Sequence, residues 1–487
     1  MNLTVLAIVI AYLIVITAII FWSGKKVKNY HDFALGGGAM PWYVITGTMF
    51  ASTVGGATMI GYVGSFKTVG LQWAIVPFVG NLIGAIVAGL FFAERLKNLN
   101  QYTLADMFKI RFGNKARVIA AILNCLGEFA VVASMMASFG TMANGYLGID
   151  YRVAMVLAIF IFYFTATKGG FKGVAWTDTI QSVIIFVTVA IVAVISYNRL
   201  QAEGGFAALP PHLLNPFAEN MPWLTIGGNA VSLLLMFFVN QSLLIQRINA
   251  CRDPKEAKKA AVANALLCGV FMIVGIGIIG LAANFSTGPD VTGNNVITAV
   301  LATMNPVLGA FYAAAILAAV LTTANSLLLS CSMTFVRDVI PVFKPISEKQ
   351  QLKYSKAFIF GAAVLAFVVV QFMSGVLSWI LITYTILACL CVPLYGGMLS
   401  KKTTPMSGFL SLALGGGVAI VWEVLKMFKM LPANLAAVHS IFPGVVFGVL
   451  GLLLGLASSK KSSAAQLYVV DCFIANRSYD AADAPKE

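Results

Sequence analysis

The amino-acid sequence predicts an all-α protein that crosses a lipid bilayer about thirteen times. Three observations predict this. The 487 residues are 60% hydrophobic and only 10% charged, with a mean hydropathy of +0.90, whereas a soluble globular chain carries roughly 25% charged residues. The apolar residues come in runs of roughly 20, the length a helix needs to span a bilayer. Lysine and arginine, which give a net charge of +14, cluster between those runs, as membrane topology signals do. The charge is therefore read as orientation and not as nucleic-acid binding. The seven cysteines lie mostly within apolar runs and form no CxxC pair, so they read as small apolar fillers, not as disulfides or metal ligands.

The first run, 2–24, ends at Lys25, Lys26 and Lys28. A signal peptide carries its positive charge before the apolar core, so 1–41 reads as a retained extra helix and a loop. The second run, 42–66, has the middle Ala51-Ser52-Thr53-Val54-Gly55-Gly56-Ala57-Thr58. Gly55 and Gly56 each cost a helix about 1 kcal/mol relative to alanine, and the three hydroxyls compete for backbone hydrogen bonds. Two readings fit this middle. Either the helix breaks and its freed carbonyls line a polar site, or the small residues let a neighbouring helix pack closely. Runs near 70–93, 117–146, 151–170 and 176–198 complete a first group of five helices, 42–198. After the loop 199–221, with Pro210 and Pro211, runs near 222–246, 260–285, 305–336, 356–375 and 376–399 form a second group, 222–399. The loops 199–221 and 286–304 read as lids or as linkers. Two extra C-terminal helices, 406–422 and 441–458, lie within 400–460, and 461–487 is a short tail.

Because five is odd, the two groups start from opposite faces, which is an inverted-repeat arrangement. All of the 32 basic residues except Lys67, Arg152, Arg199, Lys426 and Lys429 fall on one side. The positive-inside rule then predicts a multi-pass protein of the cell (inner or plasma) membrane, with the N-terminus outside and the C-terminus cytoplasmic.

Three polar features interrupt the apolar runs. On 305–336, Thr322, Thr323, Ser326 and Ser330 share a face with Ala319. They are either hard oxygen ligands for a small cation or hydroxyls bonded back to the carbonyl one turn earlier. Asp178, in Trp176-Thr177-Asp178-Thr179-Ile180-Gln181, is either a first-turn cap or an acid facing the bundle interior. Asn240 and Gln241 offer amides to a polar solute, and Arg247, after Gln246, reads most simply as a boundary charge.

These stretches resemble the sodium:solute symporter family over roughly residues 1–460. Asp32 to Gly37, Ala51 to Gly61, Gly169 to Asp178 with Gln181, Asn240-Gln241 with Gln246-Arg247, and Ala318 to Ser326 ending at Asp338 carry the resemblance, in that order. It implies a ten-helix core of two inverted five-helix repeats, with discontinuous first and sixth core helices, and sodium-coupled uptake. It also implies a sodium site made of the carbonyls of Ala51, Val54 and Ala319 and the hydroxyls of Thr322 and Thr323. Asp178, Asn325 and Ser326 would be a second sodium site or the path by which sodium leaves inward. Sugar carriers of the family have glutamine where Thr58 stands, and an acid in the next helix where this chain offers Pro77, Gly80 and Asn81. That disfavours a hexose. Some amino-acid carriers have aspartate where Thr53 stands, which weighs against proline. The substrate candidates are Thr58, Asn81, Glu128, Asn240 and Tyr384.

The expected function is symport of a small polar organic solute with sodium as coupling ion. The bilayer is the other partner, and no nucleic acid or obligate protein partner is expected. Two alternatives come from other classes. A membrane sensor on the same core is disfavoured by the short chain after Ser458. A membrane-embedded enzyme is disfavoured because His31, His212 and His439 fall in loops and the helices carry no acid pair or nucleophile constellation. A nucleotide-driven pump would need a Gly-x-x-x-x-Gly-Lys loop, which the sequence lacks.

Overall fold

The computed structural model describes residues 11, 12, 14–16, 18, 19, 30–239, 241–372, 376–458 and 461–485. Most of the first apolar run, 2–24, lies outside them. Among the described residues the regular structure is helical, apart from a single bridge between Met40 and Cys251.

Eight described helices are long and apolar enough to cross a bilayer: Ala57–Phe91, Asn114–Leu147, Gly170–Ala202, Pro254–Ser286, Pro306–Phe343, Glu348–Val370, Ile380–Met398 and Pro405–Met427. Tyr151–Thr167, Trp223–Val239 and Ile441–Leu456 are shorter apolar helices at positions where the sequence predicts crossings. Two glycines divide what would otherwise be over-long rods. Gly70 has φ 72°, and Gly170 has φ 53° inside the continuous stretch Tyr151–Ala202. Both lie in the left-handed region, where a Cβ is penalised. At Gly70 the backbone also closes on Leu213, whose carbonyl oxygen would sit 2.2 Å from an added Cβ.

The starts of the helices follow from local chemistry. Asn305 accepts from the amide of Val307, with Pro306 in the first turn. Ser347 with Gln350 and Thr404 with Ser407 form reciprocal capping boxes. The tail predicted at 461–487 contains one more helix, Ala464–Ile474, begun by a Ser463–Gln466 capping box. It folds back on the helices Ala93–Leu99 and Leu104–Phe112.

Pro306–Thr334 is the axis of the molecule. Every residue from Tyr312 to Thr334 is buried, and the helix packs against Trp42–Thr53, Asn114–Leu147 and Tyr151–Ala202. An apolar helix covered all round is a core helix, so its hydroxyls face protein and not lipid. The last two crossings meet through glycine: a Cβ at Gly451 would lie 2.5 Å from the Leu410 carbonyl oxygen, and one at Gly455 would lie 2.2 Å from the Ser407 Cα. Backbones this close are typical of small-residue contacts between membrane helices.

The two ends of the bundle are fastened differently. At the end carrying most of the basic residues, Arg117 binds Asp338 at 2.6 Å and Asp106 at 3.4 Å, while Arg337 reaches Asp106 at 3.2 Å. Arg111, fully buried, spends its donors on the Gly397, Ser400 and Thr403 carbonyls and the Ser462 hydroxyl. At the other end Lys67 donates to the carbonyls of Gly288 and Val291 at 2.7 and 2.6 Å, tying the broken helix to the 286–304 loop.

Candidate functional site

The helix that starts at Trp42 ends at Thr53. Val54 takes φ −89°, ψ 78°, outside the helical region, and winding resumes at Ala57 as a π-helical segment, Ala57–Tyr62. The break is therefore present, but the two glycines do not make it by unusual dihedrals, since neither has positive φ. They are needed for space. A Cβ on Gly56 would lie 2.4 Å from Ser138 Oγ, and one on Gly55 would lie 3.0 Å from Thr323 Oγ1. The two readings of the sequence hold together: the chain breaks, and the small residues let Asn114–Leu147 and Pro306–Thr334 press against the break. The Gly56 amide, released from helical bonding, donates to the Met135 sulfur at 3.3 Å.

Oxygen atoms converge on this break. Thr322 Oγ1 donates to the Ala51 carbonyl at 2.8 Å and to the Ala319 carbonyl at 3.0 Å. Thr323 Oγ1 lies 3.4 Å from the Ala51 carbonyl and 3.3 Å from that of Ser52. All five residues are buried. Neutral hydroxyl and carbonyl oxygens in a desolvated pocket form a donor set suited to a hard monovalent cation, whose own charge replaces the hydroxyl protons as partner of the carbonyls.

One turn toward the basic end is a second polar cluster. Arg247, 1% exposed, donates from Nη2 to Ser52 Oγ at 2.6 Å and to Ser326 Oγ at 2.8 Å, and from Nε to Thr48 Oγ1 at 3.1 Å. Thr48 donates to Asp178 Oδ2 at 2.6 Å, and Arg247 Nη2 lies 3.6 Å from the same oxygen. The guanidinium also sits 5.7 Å from the centre of the Phe171 ring. Asn325 does not join this cluster; its Oδ1 accepts from Thr165 at 2.7 Å.

A narrow cavity of about 60 Å³ adjoins both clusters. Thr58, Asn81, Glu128 and Tyr384 all line it, together with Ser52, Thr323 and Arg247. Met49, Met135, Met236 and Phe237 are among its apolar walls. Glu128 is fully buried and accepts from Ser330 at 2.9 Å. Asn81 Oδ1 is buried without a hydrogen-bond partner.

The sequence profile of the sodium:solute symporter family matches residues 33–415. The chain belongs to the sodium:solute symporter family. In an alignment 459 positions long that covers 87% of this chain and 93% of the relative, the symporter is 24% identical to the high-affinity proline transporter PutP of Bacillus subtilis (strain 168). It is 25% identical over 391 residues to a sodium/proline symporter of Staphylococcus aureus (strain JH9), covering 76% of this chain and 74% of that one. Its fold resembles that of a Na+-coupled sialic acid symporter solved in a substrate-bound outward-open state, with TM-score 0.76, 20% identity, and 94% and 99% of the two chains covered. The resemblance extends to MhsT solved with L-phenylalanine, at TM-score 0.56, 18% identity, and 85% and 98% coverage. The inverted-repeat helical fold, the role of transporter and sodium as coupling ion follow from these matches.

The residues singled out from sequence fall into three groups. Ala51, Ala319, Thr322 and Thr323 meet at the break, with Val54 as the residue where the helix stops. Four of the five substrate candidates share the cavity, while Asn240 lies outside the described residues. Asp178 and Ser326 flank Arg247. Sequence reasoning placed Arg247 at the boundary and missed the parts played by Thr48, Ser52 and Met135. Arginine inside a membrane helix is itself a functional signal, but near the end of an apolar run the same residue type also marks the boundary.

Proposed function

We propose that the symporter imports a small polar organic solute bearing a cationic nitrogen, one that is neutral overall, such as an amino acid or a betaine. The observation that carries this reading is that Thr323 and Ser52 belong to both sites. They line the solute cavity and contact the atoms around the break, so an ion held there would shape the wall against which the solute rests. Ala51, Val54, Ala319, Thr322 and Thr323 hold the sodium in this reading. Glu128 supplies an acceptor for the nitrogen, and Asn81, Thr58 and Tyr384 orient the polar end while methionine and phenylalanine cover the apolar body.

Segments 42–198 and 222–399 are the two repeats that rock against each other in alternating access. The N-terminus is outside and the C-terminus cytoplasmic, as the distribution of lysine and arginine supports. Sodium entering down the membrane potential releases about 2.3 kcal/mol per charge per 100 mV, enough to concentrate a neutral solute roughly 50-fold.

The proline carriers among the relatives put proline first on the panel, although Thr53 brings no charge to the cavity. The test is a binding screen of purified protein against amino acids, betaines, carboxylates, sugars and vitamins, with sodium and with choline replacing it. Tighter binding of an ammonium-bearing compound in sodium, lost in Glu128→Gln, is the expected result. A best ligand without any cationic nitrogen, or one indifferent to sodium, would overturn the proposal.

A further inference from the structure

We infer that Arg247 is a resident cation filling the corner beside Asp178, so that the symporter binds one sodium and not two. The inference rests on the sodium-coupled reading of the chain but not on which solute it carries.

The corner has the oxygen set a second small cation would use: the Asp178 carboxylate and the hydroxyls of Thr48, Ser52 and Ser326, all buried. Each already faces the guanidinium. Arg247 donates to Ser52 at 2.6 Å, to Ser326 at 2.8 Å and to Thr48 at 3.1 Å, and its Nη2 stands 3.6 Å from Asp178 Oδ2. These contacts point the lone pairs of the hydroxyls at a positive charge covalently tethered to the chain. A buried carboxylate needs a counter-charge, and Arg247 supplies it without any ion being bound. A free cation entering the corner would lose those oxygens to the guanidinium and be repelled by it.

The position of the arginine follows from the fold. The helix Gln241–Ala250 packs on Trp42–Thr53 and Pro306–Thr334, and the bond from Gln246 Nε2 to the Ala34 carbonyl at 2.6 Å pins it beside Arg247. Ser52 links the corner to the break. Its hydroxyl accepts from Arg247, while its carbonyl lies 3.3 Å from Thr323 Oγ1. The arginine therefore bounds the primary site on the side of the basic end, and a sodium leaving that way has to pass it.

The test counts sodium bound to purified protein without solute, using radioactive sodium in a scintillation proximity assay. Wild type binds one sodium per chain with a Hill coefficient near one, and Arg247→Lys, which keeps the charge, does the same. Arg247→Gln exposes the corner and raises the count to two, with a Hill coefficient above one. Arg247→Gln combined with Asp178→Asn returns it to one. Asp178→Asn alone leaves the count at one, and this arm decides the matter even when Arg247→Gln does not fold. Two sodium ions in wild type, or a count that drops in Asp178→Asn, overturns the inference. So does a folded Arg247→Gln that still binds one. A wild-type count of zero would instead strike the sodium-coupled reading beneath it.

Discussion

Thr322 and Thr323 are two residues of one type on one face, yet their hydroxyls make different bonds. Thr322 bonds both forward to Ala51 and back to Ala319, so the back-bonding that hides a hydroxyl in a membrane helix is not an alternative to site formation here. Thr323 reaches only across to the broken helix, at 3.3 and 3.4 Å, long contacts that a bound ion would replace. Replacing either residue with alanine is expected to raise the sodium concentration for half-maximal uptake about tenfold, the effect of one lost contact of roughly 1.4 kcal/mol. Valine, which keeps the shape, should do as badly, and serine should restore most of the affinity. Unchanged sodium activation in the double alanine variant would remove both threonines from the site. Thr322 and Thr323 were legible because identity and helical spacing suffice to put hydroxyls on one face. Arg247 was misread because counting positive charges along the chain cannot distinguish a side chain that meets headgroups from one folded back against Ser52 and Ser326.

The broken helix shows what an element gains from its neighbours. The sequence located the break through Gly55 and Gly56 and offered two reasons for small residues there, a broken helix and close packing; the structure gives the glycines the second, through Ser138 and Thr323. Which side chains come so close is a property of tertiary packing and leaves no mark in the local sequence. Gly56→Ala is therefore expected to abolish uptake while the protein still reaches the membrane. Ser138→Gly should rescue it in part by removing the atoms 2.4 and 2.5 Å from the added methyl. Gly55→Ala should be milder, because its tightest neighbours are the Thr323 hydroxyl and a flexible methionine. If Gly56→Ala transports normally, the spatial argument is wrong. The tail helix Ala464–Ile474 escaped the sequence reading because 11 residues are too few to register as a crossing, and its stability comes from docking on other helices.

For the molecule as a whole, the helical character and order of the described crossings were readable because hydrophobic length is a strong constraint in lipid. How the C-terminal crossings attach was not. One attachment is His439, which is buried between the last two crossings, 3.0 Å from Asn229 Oδ1 and close against Gly228. Burial, with Lys426 adding to it, lowers its pKa from 6.5 to about 4. The unfolded chain then binds more protons than the folded one between those values, so folded stability is complete above about pH 6.5 and declines as pH falls toward 4. The loss should reach on the order of 3 kcal/mol. Thermal melts of the purified protein should show it, and His439→Gln should flatten that part of the profile. A wild-type melting temperature that is level from pH 7 to 4 would contradict the assignment.

The bond from the Gly56 amide to the Met135 sulfur makes the break sensitive to any change at that sulfur. Methionine is oxidised to a sulfoxide, a bulkier and polar group, and Met135 lines the cavity. The new oxygen would have to occupy the narrow space beside Gly55 and Gly56. Peroxide should therefore inactivate uptake in step with sulfoxide formation on the peptide carrying Met135, and a sulfoxide reductase acting on the protein should bring uptake back. A transporter that takes its driving force from an ion gradient would in this way also register the redox state of its surroundings, through one sulfur atom at the bend of its broken helix.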